Sequence, residues 1–294
     1  MSTDAFVPPT SSAASRPSFA RAALQIYDLS LSQMLWSRRT VFMALVIGGP
    51  VVVAVILRML VAMDLIAARG VVEGRPVSVS GPIIFGLMIW GFYLRFSVPL
   101  LGVFYGTSLI ADEVEDKTIT YLFTRPLSRG AVLVGKYLAY LVCTGFVVLP
   151  SVMLVFFLVV PLLGGSIGAS FLDLIKDLAL LAVGLAVYGA VFALVGALFK
   201  RPLLTGLVFV FGWEPIVVVV PGYMKRFTVS YYLQGLVPHA MPQDGVITAI
   251  LRVLQANEVM PSVAVSVMGL TTILFGGLVA ATWMVERREY VLEQ

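Results

Sequence analysis

The chain has 294 residues, 60% of them apolar or aromatic and 12% charged, with 20 basic and 16 acidic side chains and a formal net charge of +4; its mean hydropathy is +0.99. A soluble domain carries about 25% charged and 45 to 50% apolar residues, so one globular core has no room for this much apolar surface, and a soluble enzyme is excluded. The apolar residues come in runs of about 18 to 28 between charged clusters, the length that crosses a hydrocarbon core of about 30 Å, which predicts an all-α polytopic membrane protein.

Residues 1 to 17 (MSTDAFVPPTSSAASRP) are rich in Ser, Ala and Pro and lack the charged start and apolar stretch of a signal peptide, so they read as a disordered cytosolic tail. From 18 to 39, Arg21, Gln25, Asp28 and Ser32 recur every three or four residues, with Leu24, Tyr27, Leu31, Met34 and Leu35 filling the other face. That pattern predicts an amphipathic helix lying in the membrane interface. A six-helix transmembrane domain over 40 to 288 follows, with spans at 41 to 62, 83 to 110, 134 to 161, 174 to 198, 203 to 220 and 261 to 284, and 289 to 294 form a second cytosolic tail. Gly48, Gly49 and Pro50 predict a kink in the first span, tolerable where neighbouring helices serve the freed backbone groups.

Six spans put both termini on one side, and basic residues near span ends are retained in the cytoplasm. With the termini inside, Arg16, Arg21, Arg38, Arg39, Lys117, Arg125, Arg129, Lys136, Lys200, Arg201, Arg287 and Arg288 face the cytosol. Arg69, Arg75, Lys225, Arg226 and Arg252 lie outside, and Arg58, Arg95 and Lys176 fall within or at the rim of spans. The bias places both termini in the cytoplasm. It also accounts for the net positive charge without a nucleic-acid partner, because the basic residues are dispersed along span ends instead of forming a patch.

Two connections are longer than turns. Residues 111 to 133 open with Asp112, Glu113, Glu115 and Asp116, then carry Ile119, Leu122 and Phe123 at helical spacing and reach a stop at Pro126, which predicts a short amphipathic helix with acids in its first turns. The external segment 221 to 260 carries Val246, Ile247, Ile250, Leu251 and Leu254, a one-sided stripe that predicts a helix against the outer membrane face. No internal repeat is visible.

Chemistry-bearing motifs are few. Gly130 to Lys136 fits GxxxxGK, but Tyr137 stands where a phosphate loop needs a Ser or Thr, and the string leads into an apolar span, so Lys136 reads as an inside anchor. Asp173 and Asp177 are one helical turn apart, yet Lys176 lies between them and no third carboxylate is near, which argues against a metal site. A single Cys143 and a single His239 leave no cysteine-based metal site and no two-histidine motif. The chain is therefore expected to bind no cofactor or metal of its own and to be no enzyme. Arg95 and Glu214 stand apart, because they lie inside the second and fifth spans, where an ionisable side chain costs about 2.5 to 3.5 kcal/mol and faces protein or water. They are expected either to pair as a buried element of the fold or to line a polar pathway.

The stretch from Gly102 to Ala139, GVFYGTSLIADEVEDKTITYLFTRPLSRGAVLVGKYLA, resembles the central segment of ABC-2 type ABC transporter permeases. The matching positions are Glu113, Lys117 and Thr118, Leu122 and Phe123, Arg125 and Pro126, Ser128 and Arg129, and Gly135 and Lys136, with Lys117 where the family usually has Gly. Trp213 and Glu214, followed by Arg226 through Tyr232, are similar to a second, less specific family pattern. The resemblance implies the permease subunit of an exporter in the bacterial inner membrane. It would work as a homodimer or a heterodimer with a related permease, and would be driven by a separate cytosolic ATPase subunit that holds the ATP and magnesium. It further implies that Glu113, Glu115, Asp116, Lys117, Thr118, Leu122, Phe123, Arg125, Pro126 and Arg129 form the ATPase-coupling interface, although the acidic run also fits a solvated loop face. The alternative is a membrane scaffold or assembly factor that binds the same ATPase without moving a solute. The spans carry few polar side chains, which favours a hydrophobic or lipid-like cargo.

Overall fold

The computed structural model describes residues 18–35, 38–65, 69–72, 75–78, 80–115, 129–219, 223–237 and 261–287. Hydrocarbon offers no partner to a backbone N–H or C=O, so each apolar run must close its hydrogen bonds within itself as a helix. In chain order, α1 is Phe19–Leu35 and α2 is Arg38–Ala62. The strands β1 (Arg69–Val72) and β2 (Arg75–Ser78) then form an antiparallel hairpin that pairs Arg69 with Ser78 and Val72 with Arg75. Next come α3 (Gly81–Ala111), α4 (Arg129–Val159) and α5 (Ile167–Leu198). Helix α6 joins Pro202–Val208, Phe209–Trp213 and Glu214–Val219. A 3-10 turn at Tyr223–Phe227 leads to α7 (Val229–Gln234), and α8 is Val263–Arg287.

Five helices, Thr40–Ala62 of α2, α3, α4, α5 and α8, are long and apolar enough to cross a membrane, and the apolar stretch of α6, Pro202–Val217, is shorter. The chain is thus a multi-pass membrane protein with, among the described residues, five helices of crossing length where six were expected, and the hairpin is a small exception to the all-α class. Helix α2 runs unbroken through Pro50. The Ser151 hydroxyl of α4 reaches the Ile47 carbonyl at 3.5 Å, three residues before that proline, and meets the Tyr93 hydroxyl of α3 at 2.6 Å, so α2, α3 and α4 are linked by hydroxyls at this level.

The centre of the bundle is α4 against α5. The Tyr140 ring lies over Gly189, where any larger residue would occupy the ring's place, and its hydroxyl donates to the Leu185 carbonyl at 2.9 Å. Tyr137 donates to the next carbonyl, Ala186, at 2.7 Å. Tyr93, Tyr105, Tyr188, Phe85, Phe156 and Phe192 fill the surrounding core.

At the end of the bundle where α1 begins and α8 ends, α1 crosses the start of α4. Ala22, Ala23 and Ala131 pack together, and a Cβ on Gly135 would stand 2.5 Å from the Ala23 carbonyl oxygen, so glycine sets the approach of the two helices. Helix α1 meets α4 through small residues, Leu31 and Met34 pack against the main core, and Phe19, Leu24 and Leu29 are exposed. The GxxxxGK string from Gly130 to Lys136 is helix, with Lys136 buried. Its glycines serve close helix contact, and the string forms no loop that a phosphate would need.

The helix of the second span runs on as Ser108–Glu115. Positions 112, 113 and 115 therefore end that helix, where the sequence had led us to expect them to open a new one. The rest of the expected short helix, Asp116 through Phe123 and on to Pro126, lies outside the described residues, as do His239, the stripe from Val246 to Leu254 and both chain ends.

Candidate functional site

Three stretches of wide, π-helical turn interrupt the bundle: Ile89–Ser97 and Gly102–Gly106 in α3, and Phe209–Trp213 in α6. Proline explains two of them. Pro99 and Pro215 have no N–H to offer the carbonyls of Arg95 and Phe211 four residues earlier, and the backbone shifts to bonds spanning five residues. The Val98 N–H bonds the Tyr93 carbonyl, and the Glu214 N–H bonds the Phe209 carbonyl. Wide turns of this kind often occur at functional sites, and here one contains Arg95 and another immediately precedes Glu214.

Arg95 lies in the first wide stretch, and its guanidinium stacks over the Trp90 ring, 4.9 Å from the centroid. A separation of five residues does not put two side chains on one face of an α-helix, but the π-helical winding does. Glu214 follows the stretch in α6 and is buried. The Tyr188 hydroxyl of α5 lies 3.0 and 2.7 Å from its two carboxylate oxygens and donates to them. The backbone N–H groups of Val229 and Ser230 act as donors to the same carboxylate.

Those two amides open α7. A helix start leaves its first N–H groups without partners, and a Thr at the preceding position usually serves them. Thr228 does not; its hydroxyl donates instead to the Lys225 carbonyl at 2.7 Å. Glu214 takes the capping role from another helix, with its negative charge at the positive end of the helix dipole. At about 1.5 Å per residue from the ends that lie together at Ala111, Leu198 and Pro202, Arg95, Tyr188 and Glu214 stand about 24, 15 and 18 Å into the bundle. Helix α7 therefore begins deep in the bundle, with Val229 and Leu233 in the core. The segment 223 to 237, read from sequence as external, folds back into it.

The two intramembrane charges are brought close without forming an ion pair. Arg95 acts on Glu214 through space, while its guanidinium stays on Trp90 and the carboxylate on Tyr188. Trp90, Tyr188 and the start of α7 were not singled out in the sequence. Tyr188 is one of 11 tyrosines with nothing to mark it, and Trp90 is masked by its five-residue spacing.

The other candidates separate. Asp173 pairs with Lys176 at 3.0 Å in an exposed i, i+3 contact, whereas Asp177, one turn further along the same helix, is buried. Among the described residues no group of His, Cys, Asp and Glu side chains is arranged to hold a metal ion. Of the coupling candidates, Glu113 and Glu115 belong to the helix that ends at 115, and Asp116, Lys117, Thr118, Leu122, Phe123, Arg125 and Pro126 lie outside the described residues. Arg129 is the first residue of α4, and its guanidinium donates to the Val285 carbonyl near the end of α8 at 3.4 Å.

A family model described as ABC-2 family transporter protein matches residues 20–285. No curated protein matches the chain.

Proposed function

The chain belongs to the ABC-2 transporter family, and from that premise we propose that it is the permease subunit of an ATP-binding cassette exporter. The observation that carries the reading is the match across nearly the whole chain, residues 20–285, onto a bundle with five helices of membrane-crossing length. In this reading α6 makes the sixth crossing, both termini face the cytoplasm, and the protein sits in the plasma membrane of a bacterium as one of two permease copies. A cytosolic ATPase supplies ATP hydrolysis with its own nucleotide and magnesium. This chain contributes no chemical step.

The geometry supports a route for the work. Residues 116 to 128 join α3 to α4, and the docking surface includes this connection together with Glu113, Glu115 and Arg129. Helix α4 is held to α5 by Tyr137, Tyr140 and Gly189, and to α1 and α8 through Gly135 and Arg129. Helix α3 contains two stretches of irregular winding. Force applied by the ATPase to the connection therefore moves α3 against a stiff α4 and α5, the kind of discrete rigid-body shift by which bundles alternate between states.

Co-purification with an ATPase encoded beside this chain tests the reading. Glu113→Lys together with Arg125→Glu is expected to lower ATPase recovery at least tenfold while the permease remains folded. Full recovery by the doubly reversed chain would remove the connection from the docking surface. Association without ATP-dependent movement of any solute into inside-out vesicles would point to a scaffold.

A further inference from the structure

We propose that Arg95 binds the headgroup of an anionic amphiphile, a single-tailed carboxylate carried as cargo, with the tail lying on the aromatic surface of Phe92, Phe96 and Phe211. The proposal rests on the permease reading and deepens it by naming a class of cargo.

The first argument is the state of the guanidinium. Its central carbon lies over the Trp90 ring, 4.9 Å from the centroid, and among the described residues it makes no hydrogen bond or ion pair. A cation–π contact satisfies no hydrogen-bond acceptor geometry, and a guanidinium with N–H donors to spare matches the two oxygens of a carboxylate. A cation this deep in a membrane is costly unless something pairs with it, and here the protein supplies an aromatic ring but no acceptor.

The second argument is that Glu214 is already engaged. Its oxygens accept from the Tyr188 hydroxyl and from the amides at the start of α7. Engaged in this way, it leaves the donors of Arg95 unused.

The third is what lies beside Arg95. Phe92 and Phe96 share its wide stretch of α3, and Phe96 meets Phe211 of α6 with ring centroids 6.1 Å apart. All three rings are between 40 and 50% exposed. Apolar exposure alone means little in a membrane protein, but a cation with open donors on the same stretch of helix as exposed aromatic rings is complementary to an acid head on an apolar tail. Depth favours cargo over resident lipid. Arg95 lies about 21 Å from one end of α3 and about 24 Å from the other by helix rise, whereas phospholipid headgroups sit at the borders of the hydrocarbon core.

The test uses the full chain in zwitterionic nanodiscs with Trp36→Phe and Trp283→Phe, so that fluorescence comes from Trp90 and Trp213. The probes are 5-doxylstearate, at a pH where the acid is ionised, and its methyl ester, which carries the same quencher without the charge. The acid is expected to quench saturably at a concentration at least tenfold lower than the ester. Arg95→Gln should remove that advantage, and Arg95→Lys, which keeps the charge and the fold, should retain part of it. Equal quenching by acid and ester, or an acid curve unchanged by Arg95→Gln in a variant with normal elution, would overturn the proposal. Displacement of the probe by phosphatidylglycerol added to the nanodisc would assign the site to resident lipid and overturn the cargo reading. No ATPase is present, so a negative result leaves the permease reading standing, and a positive result beside failed ATPase association would sink that reading alone.

Discussion

Helices α4 and α5 on one side, and α3 and α6 on the other, are pairs of apolar segments built to different rules. The first pair contains continuous α-helices of 31 and 32 residues, joined by tyrosine hydroxyls on carbonyls and a ring seated over a glycine. The second pair is wound irregularly where proline removes a donor, and it carries the charged side chains Arg95 and Glu214. Regular winding with tyrosine hydroxyls bonded across to the neighbouring backbone makes a stiff frame. Irregular winding leaves carbonyls, charges and exposed aromatic rings able to find other partners, so conformational change and ligand contact belong on that side.

Breaking the frame should have the largest effect. Gly189→Leu puts a side chain where the Tyr140 ring lies and is expected to cost about 3 kcal/mol, read as a lower midpoint of unfolding in SDS or as loss of the monodisperse peak in detergent. A variant with an unchanged midpoint would show that α4 and α5 are not tightly joined. Glu214→Ala sharpens the other side. It strands the Tyr188 hydroxyl and the amides of Val229 and Ser230, a loss of about 2 kcal/mol. The effect should be local, with hydrogen exchange through α7 about thirtyfold faster and α4 unchanged. Uniform acceleration across both pairs would erase the distinction drawn here. Asp173→Asn is the smallest change, because its ion pair with Lys176 has side chains 37 and 52% exposed. Such pairs contribute about 0 to 0.5 kcal/mol, and a midpoint shift comparable to that of Glu214→Ala would mean the start of α5 is less solvated than its exposure indicates.

Much of the architecture was legible because apolar length is read directly from residue order. The helices at Thr40–Ala62, Gly81–Ala111, Arg129–Val159, Ile167–Leu198 and Val263–Arg287 each enclose or overlap an apolar run that marks them. The fold-back of residues 223 to 237 was not legible, since a polar, aromatic segment reads as external until Glu214 is seen to cap it. The contact of α1 with α4 was not legible either, because helices in a membrane approach through small residues that carry little sequence signal, here Ala22 and Ala23 against Ala131.

Arg95 and Glu214 could be named from sequence alone, because an ionisable residue within an apolar run is conspicuous. So could the membrane setting. What each charge touches depended on the tertiary structure. Pairing across helices is set by how far each helix is rotated about its axis and shifted along it. Spans that are apolar all round carry little periodic signal of either, and the π-helical turns shift the register again. Trp90 under Arg95 and Tyr188 on Glu214 are consequences of that rotation and shift, which no reading of residue order contains.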